Sequence, residues 1–290
     1  MSAEDDTSNS ITLKLRVWRL LMPLPMGRRL LPWIIEYTVY CIAVALIVDR
    51  YAVEAQHWGA ETAALNGVVL GVLFVFRNNA AYDRWWEGRR LWGQLVNDSR
   101  NLALRTRSFV QASEAELAAF GRLITSFADA LRMHLRDTVK LQDVAGYENS
   151  QEHPAHVPFY FSEQIQMQIA NWHREKKIDG YQLIAIDTVA RGFMDVCGAC
   201  ERIRNTPLPL SYRAILRHGI GLYLVTTPWV IVQELEFWCI PVMVAFCYFI
   251  LGVELIAEEI EDPFGEGPDD LDLARYSQTI RKSIHQSLGD

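Results

Sequence analysis

An all-α, polytopic membrane protein is the fold class this sequence predicts. Three observations carry it: four apolar stretches, cations that flank the same side of them, and a run from Trp33 to His153 without a proline. Half of the 290 residues are apolar, yet the mean hydropathy is close to zero, so polar and apolar residues are segregated along the chain. The net charge of −7 argues against a nucleic-acid binder, which is usually basic. Nine tryptophans suit an interfacial aromatic belt. Cys41, Cys197, Cys200, Cys239 and Cys247 form no disulfide framework and suit a reducing compartment.

The first ten residues are polar and acidic, carry no secretory signal, and read as a disordered tail. The first apolar stretch, about Leu31 to Val48, is long enough to cross a bilayer core. The second, about Thr62 to Phe76, is short and uncharged, and the missing prolines predict that it continues as one helix to about Val110. Helices follow near Ala115 to Val139, Phe161 to Lys176 and Tyr181 to Arg204. The polar stretch Leu141 to Pro158, with Gly146, Pro154 and Pro158, reads as a loop. Asn205 to Tyr212, "NTPLPLSY", reads as a proline-broken turn. The third apolar stretch covers about Ala214 to Val232, and the fourth runs from Phe237 to about Ala257, interrupted late by Glu254.

Cations lie before the first stretch (Lys14, Arg16, Arg19, Arg28, Arg29) and after the second (Arg77, Arg84, Arg89, Arg90, Arg100). The link between the first two has one, Arg50, and the link between the last two is acidic. This is the positive-inside pattern for four spans, with both termini and the large middle region cytoplasmic. The expected organisation is therefore a cytoplasmic segment over 1–30, two spans over 31–76 and a cytoplasmic helical region over 77–213. Two spans over 214–257 and an acidic cytoplasmic segment over 258–290 complete it.

Few motifs offer chemistry. Val68, Val72 and Phe76 are spaced one turn apart and share a helix face, which ordinary helix packing would also explain. Around a common axis that face would make stacked apolar rings, which resist wetting. Gly67 and Gly71 form a small-residue pair that permits close helix approach. Arg77 is placed to snorkel at the membrane boundary, where Trp85, Trp86 and Trp92 can anchor or pack. Asp83 and Glu87 can pair with Arg84 or Arg90. Cys197 and Cys200 have metal-like spacing but no second pair nearby, and read as packing residues. His153, His156 and His173 lie in or near a loop without a metal-ligand pattern. Glu258 to Leu273, "EEIEDPFGEGPDDLDL", is acidic enough to bind Ca²⁺ but lacks the twelve-residue EF-hand spacing, and reads as a solvated exit from a membrane helix. No nucleotide fingerprint or catalytic constellation is present, so an enzyme is not expected.

Three motifs, "FRNNAAYDRWWEGRRLWGQL", "CERIRNTPLPLSY" and "EIEDPFGEGPDDLDL", occur in that order around the four stretches. Together they resemble the bacterial branch of the bestrophin family, from about Trp18 to Ile280. The resemblance implies a homopentameric ion channel in the cell inner membrane, whose partners are inorganic ions and the lipid bilayer. Five copies of the second span would line one axial pore. By that resemblance Val68, Val72 and Phe76 form the pore neck, and Leu208 the cytoplasmic aperture. The family usually carries larger Ile or Phe side chains in the neck, so the valines imply a wider or more readily hydrated constriction. Animal members conduct chloride and other anions, while a bacterial type prefers monovalent cations, and an apolar neck does not settle the sign. The acidic segment matches a Ca²⁺ clasp of animal relatives. Here Gly267 and Pro268 interrupt the run and leave Asp269, Asp270 and Asp272, which argues against calcium gating and implies no required cofactor. A membrane-anchored enzyme or a scaffold using the cytoplasmic helices is the alternative.

Overall fold

The structure is a computed structural model describing residues 25–51 and 60–289. The expected polar tail, the basic positions before residue 25 and Glu54 lie outside the described residues. All regular structure among the described residues is helical. The chain divides into two compact units, one formed by residues up to 79 with 209–258, the other by 80–208 with 259 onward.

In the first unit, α1 (Pro25–Tyr51) packs against α6 (Leu210–Leu235). The start of α2 (Ala60–Phe109) and most of α7 (Cys239–Glu261) complete it. α6 passes into α7 through a 3₁₀ turn at Glu236–Trp238. Tyr37, Cys41, Leu70, Leu216, Ile220, Met243 and Cys247 form a shared core. Pro228 lies inside α6 and has no N–H for the carbonyl of Leu224, four residues earlier. The Tyr37 hydroxyl donates to that carbonyl instead, at 3.0 Å. Tyr40 donates to the next carbonyl, Val225, at 2.6 Å and accepts from Trp229 Nε1 at 2.8 Å. Two tyrosines of α1 thus satisfy carbonyls in the turn before Pro228. Many large apolar side chains outside this core are exposed, among them Leu31, Ile35, Val39, Leu222, Phe246 and Phe249. Such a surface suits lipid or another subunit rather than water.

The second unit is built on the rest of α2, with α3 (Glu114–Arg136), α4 (Val157–Arg174), α5 (Gly180–Asn205) and α8 (Leu273–Leu288). α2 continues unbroken to Phe109, one residue short of its expected end. α3 starts at a capping box in which the Ser113 hydroxyl accepts from Glu116 N–H and Glu116 accepts from Ser113 N–H. Asp179 and Gln182 repeat the device at α5. The core holds Trp92, Phe120, Phe127, Leu131, Phe161, Trp172 and Phe193. The Phe127 and Phe193 rings meet edge-on at 5.0 Å between centroids.

The C-terminal part departs from expectation. Glu258 to Leu273 were expected as a solvated exit from a membrane helix, yet Phe264 and Leu271 insert into the second core. α8 then buries Leu273, Ile280, Ile284 and Leu288 on one face and packs against α3. Asp262, Glu266, Asp269 and Asp272 face outward, whereas Glu261 and the apolar residues between them turn inward, so the charge run masks a packed strap. Gly121 of α3 permits the approach, because a Cβ there would lie 2.9 Å from Ile284 Cγ2.

Candidate functional site

The residues expected to form a pore neck stand on one face of α2. Val68, Val72 and Phe76 are 64%, 50% and 61% exposed, whereas Leu70 on the other side is buried in the first core. An apolar row therefore points away from its own unit. Gly67 faces Tyr223 at an ordinary 3.7 Å, and Gly71 faces open space, so the small-residue pair serves no tight helix crossing among the described residues.

Arg77, next after Phe76, does not adopt the snorkelling pose expected of it. Its side chain is fully buried in the first unit, with Nε 3.8 Å from Glu254 Oε2 of α7. Arg217 reaches the other Glu254 oxygen at 3.6 Å and Glu258 at 2.9 Å. The reason is Glu254 itself, since a buried carboxylate requires a counter-charge. The charge that interrupts the fourth apolar stretch is thus half of an internal pair.

Leu208 sits in the turn between α5 and α6, and the second unit holds that turn at several points. The Leu208 N–H donates to Glu261 Oε1 at 3.0 Å. Arg84 donates to the carbonyls of Ile203 and Thr206, each at 2.6 Å, and of Glu261 at 2.9 Å. One guanidinium thereby closes the C-terminal end of α5, where carbonyls lack helical partners. Glu87, expected to pair within its own helix, bonds Arg202 of α5 at 2.5 Å. Trp85 donates from Nε1 to the Asp269 carbonyl at 3.0 Å, and Trp86 stacks on Tyr82.

In the acidic segment, Asp270 accepts from Gly267 N–H at 2.5 Å. Burial raises the Asp270 carboxyl above its usual range. Asp272 caps α8 by accepting from Arg275 N–H at 3.0 Å. Asp269 is exposed.

Cys197 and Cys200 are fully buried in the second core, as packing residues would be. Burial pushes the Cys197 thiol up to about 12 and raises Cys200 as well. The histidines differ from expectation. His153 stays in the loop, with Nδ1 3.3 Å from Gln142, and His173 lies 3.3 Å from the Ile178 carbonyl. His156 instead meets His134 and Glu201, and their ligand atoms all lie within 4.8 Å of one another. Sequence spacing hides this cluster because its members come from the end of α3, the start of α4 and the last third of α5. Burial raises the Glu201 carboxyl, but hydrogen bonds from His156 and His134 outweigh it and leave the group below its usual range.

These features define a class: a protein whose described residues are helical wherever they are regular, with three helical stretches among them long and apolar enough to cross a membrane, Gly27–Tyr51, Ala64–Phe109 and Leu210–Glu261. The family model for the bacterial and fungal bestrophin proteins matches residues 10–286, and the chain belongs to the bestrophin family. It is 34% identical over 236 residues to the voltage-dependent anion channel-forming protein alr2987 of Nostoc, covering 77% of this chain and 75% of that one. It is 32% identical to sll1024 of Synechocystis, named in the same way, over 94% of this chain and 92% of the relative. A crystal structure of a bacterial bestrophin homologue from Klebsiella pneumoniae, solved by Zn-SAD phasing, superposes with a TM-score of 0.83. It is 24% identical and covers 89% of this chain and 97% of its own, which shows a common fold.

Proposed function

We propose that this chain is a channel subunit that assembles as a homopentamer and passes small monovalent ions passively through one axial pore. The observation that carries the reading is the exposed apolar row Val68, Val72 and Phe76, a face that its own unit leaves uncovered. Five copies of α2 turned inward would stack these side chains into a neck that resists wetting and so limits conduction. Leu208 forms the second narrowing, held by Arg84 and Glu261. Four spans cross the inner membrane, the long Leu210–Glu261 stretch supplying two of them around its 3₁₀ turn. Both termini and the second unit are cytoplasmic, with Arg77, Trp85 and Trp86 at the membrane boundary. The names of the related proteins favour chloride-class anions over cations. Family membership favours a channel over a membrane-anchored enzyme or scaffold. No cofactor is required: Asp270 and Asp272 are engaged in a turn and a helix cap, which supports a structural role for the acidic segment.

The test is flux. Purified protein in liposomes, under opposed chloride and sodium gradients, should pass current whose reversal potential follows chloride. A reversal that follows sodium would assign cations instead. Phe76→Ala should raise conductance by widening the last ring, and Leu208→Ala should change selectivity. Absence of flux with and without calcium would sink the channel reading, while unchanged currents in both variants would sink the pore assignment alone.

A further inference from the structure

We propose that His134, His156 and Glu201 form a Zn²⁺ site in the second unit, tying α3, α4 and α5 together. His134 stands in the last turn of α3, His156 is the N-cap of α4, and Glu201 lies in the last third of α5. His134 Nε2 and His156 Nε2 each lie 2.7 Å from the same oxygen, Glu201 Oε1. Two imidazoles and a carboxylate are a donor set that zinc favours, and three protein ligands leave a position for water. A tetrahedral ion with bonds of about 2.0–2.1 Å needs its donors about 3.3 Å apart. Each His–Glu201 contact is shorter than that because it is a hydrogen bond, so loading requires the carboxylate and each imidazole to part by about half an ångström, while the two imidazole nitrogens stay within 4.8 Å of each other.

The surroundings suit a cation. Against the upward push of burial, hydrogen bonds from the two histidines hold the Glu201 carboxyl below its usual range, so it brings a carboxylate charge to the cluster. The C-terminal end of a helix favours positive charge, and His134 sits at one. All three side chains are only partly buried, which gives an ion a way in. The backbone is held in place: Arg204 donates to the His134 carbonyl. His156 Nδ1 accepts from Phe159 N–H at 3.0 Å, so its neutral ring carries the proton on Nε2. Zinc taking Nε2 moves that proton to Nδ1 and gives up the Phe159 bond. A single cap bond is small beside metal ligation. The site uses residues of one unit and stands whether or not the chain conducts ions.

The full chain in detergent, stripped of metal, should bind one equivalent of Zn²⁺ and show the d–d absorption of a low-coordinate nitrogen–oxygen site with Co²⁺. Glu201→Gln and His156→Asn should each weaken Zn²⁺ binding by more than about 100-fold, beyond the 10–100-fold typical of outer-shell changes. Asparagine keeps an acceptor for the α4 cap. His153→Gln, in the neighbouring loop, should leave affinity unchanged. No binding at submillimolar zinc, or binding that survives in both ligand variants, would overturn the site. Should either variant lose helix content, X-ray absorption at the zinc edge of the unaltered chain decides. Two imidazoles with an oxygen ligand support the site, and a spectrum without imidazole overturns it.

Discussion

Single side chains in this protein matter most where they carry charge or a lone pair into an apolar interior. Arg77 pairs with Glu254 inside the first unit, and neither partner would be tolerated alone. Tyr37 supplies the hydrogen bond that Pro228 removes. Cys197 and Cys200 show the same physics for thiols, since burial disfavours the thiolate. The folded pKa of Cys197 is raised, so the stability it contributes is full below 9.0 and is lost as pH rises toward about 12. Thermal melts should therefore fall across that window, and Cys197→Ser should flatten part of the fall. Alkylation of both thiols should be slow at neutral pH until the protein unfolds, as read by mass spectrometry. Rapid labelling of the folded chain would contradict their placement. The packing role of these cysteines was legible from spacing, because no second pair accompanies them. The inward turn of Arg77 was not, because it depends on Glu254 of α7 lying opposite.

At the scale of elements, the long α2 was legible from an absence: no proline interrupts it, and an unbroken backbone ladder follows. Helix starts at α3 and α5 fall within a residue of expectation, and the structure shows that capping boxes fix them. α8 was obscured because its acidic approach dominates the composition, yet Leu273, Ile280, Ile284 and Leu288 recur at helical spacing. Its docking rests on Ile284 against Gly121. Ile284→Ala should destabilise the second unit by about 2–5 kcal/mol, seen as a lower midpoint in chemical unfolding followed by circular dichroism. Gly121→Leu should also destabilise, by overpacking, at about 1–3 kcal/mol. An unchanged midpoint in both would mean that α8 does not hold this unit.

The whole molecule presents more apolar surface than one chain can cover, and α2 leaves Val68, Val72 and Phe76 exposed. Assembly is the expected remedy. Native mass spectrometry in detergent should give a five-fold mass of the 33.2 kDa chain. Cross-links between cysteines introduced at Val72 should join neighbouring copies, and a monomer or dimer would contradict the axial pore. The sequence by itself determined the helical class, the apolar stretches, the long second helix and the family, because periodicity, charge placement and ordered motifs are properties of the chain alone. Only the tertiary structure decided that Arg77 turns inward, that Arg84 and Glu261 hold the Leu208 turn, and that His134, His156 and Glu201 meet. Those contacts join residues far apart in sequence, and packing of separate helices is what brings their atoms within reach.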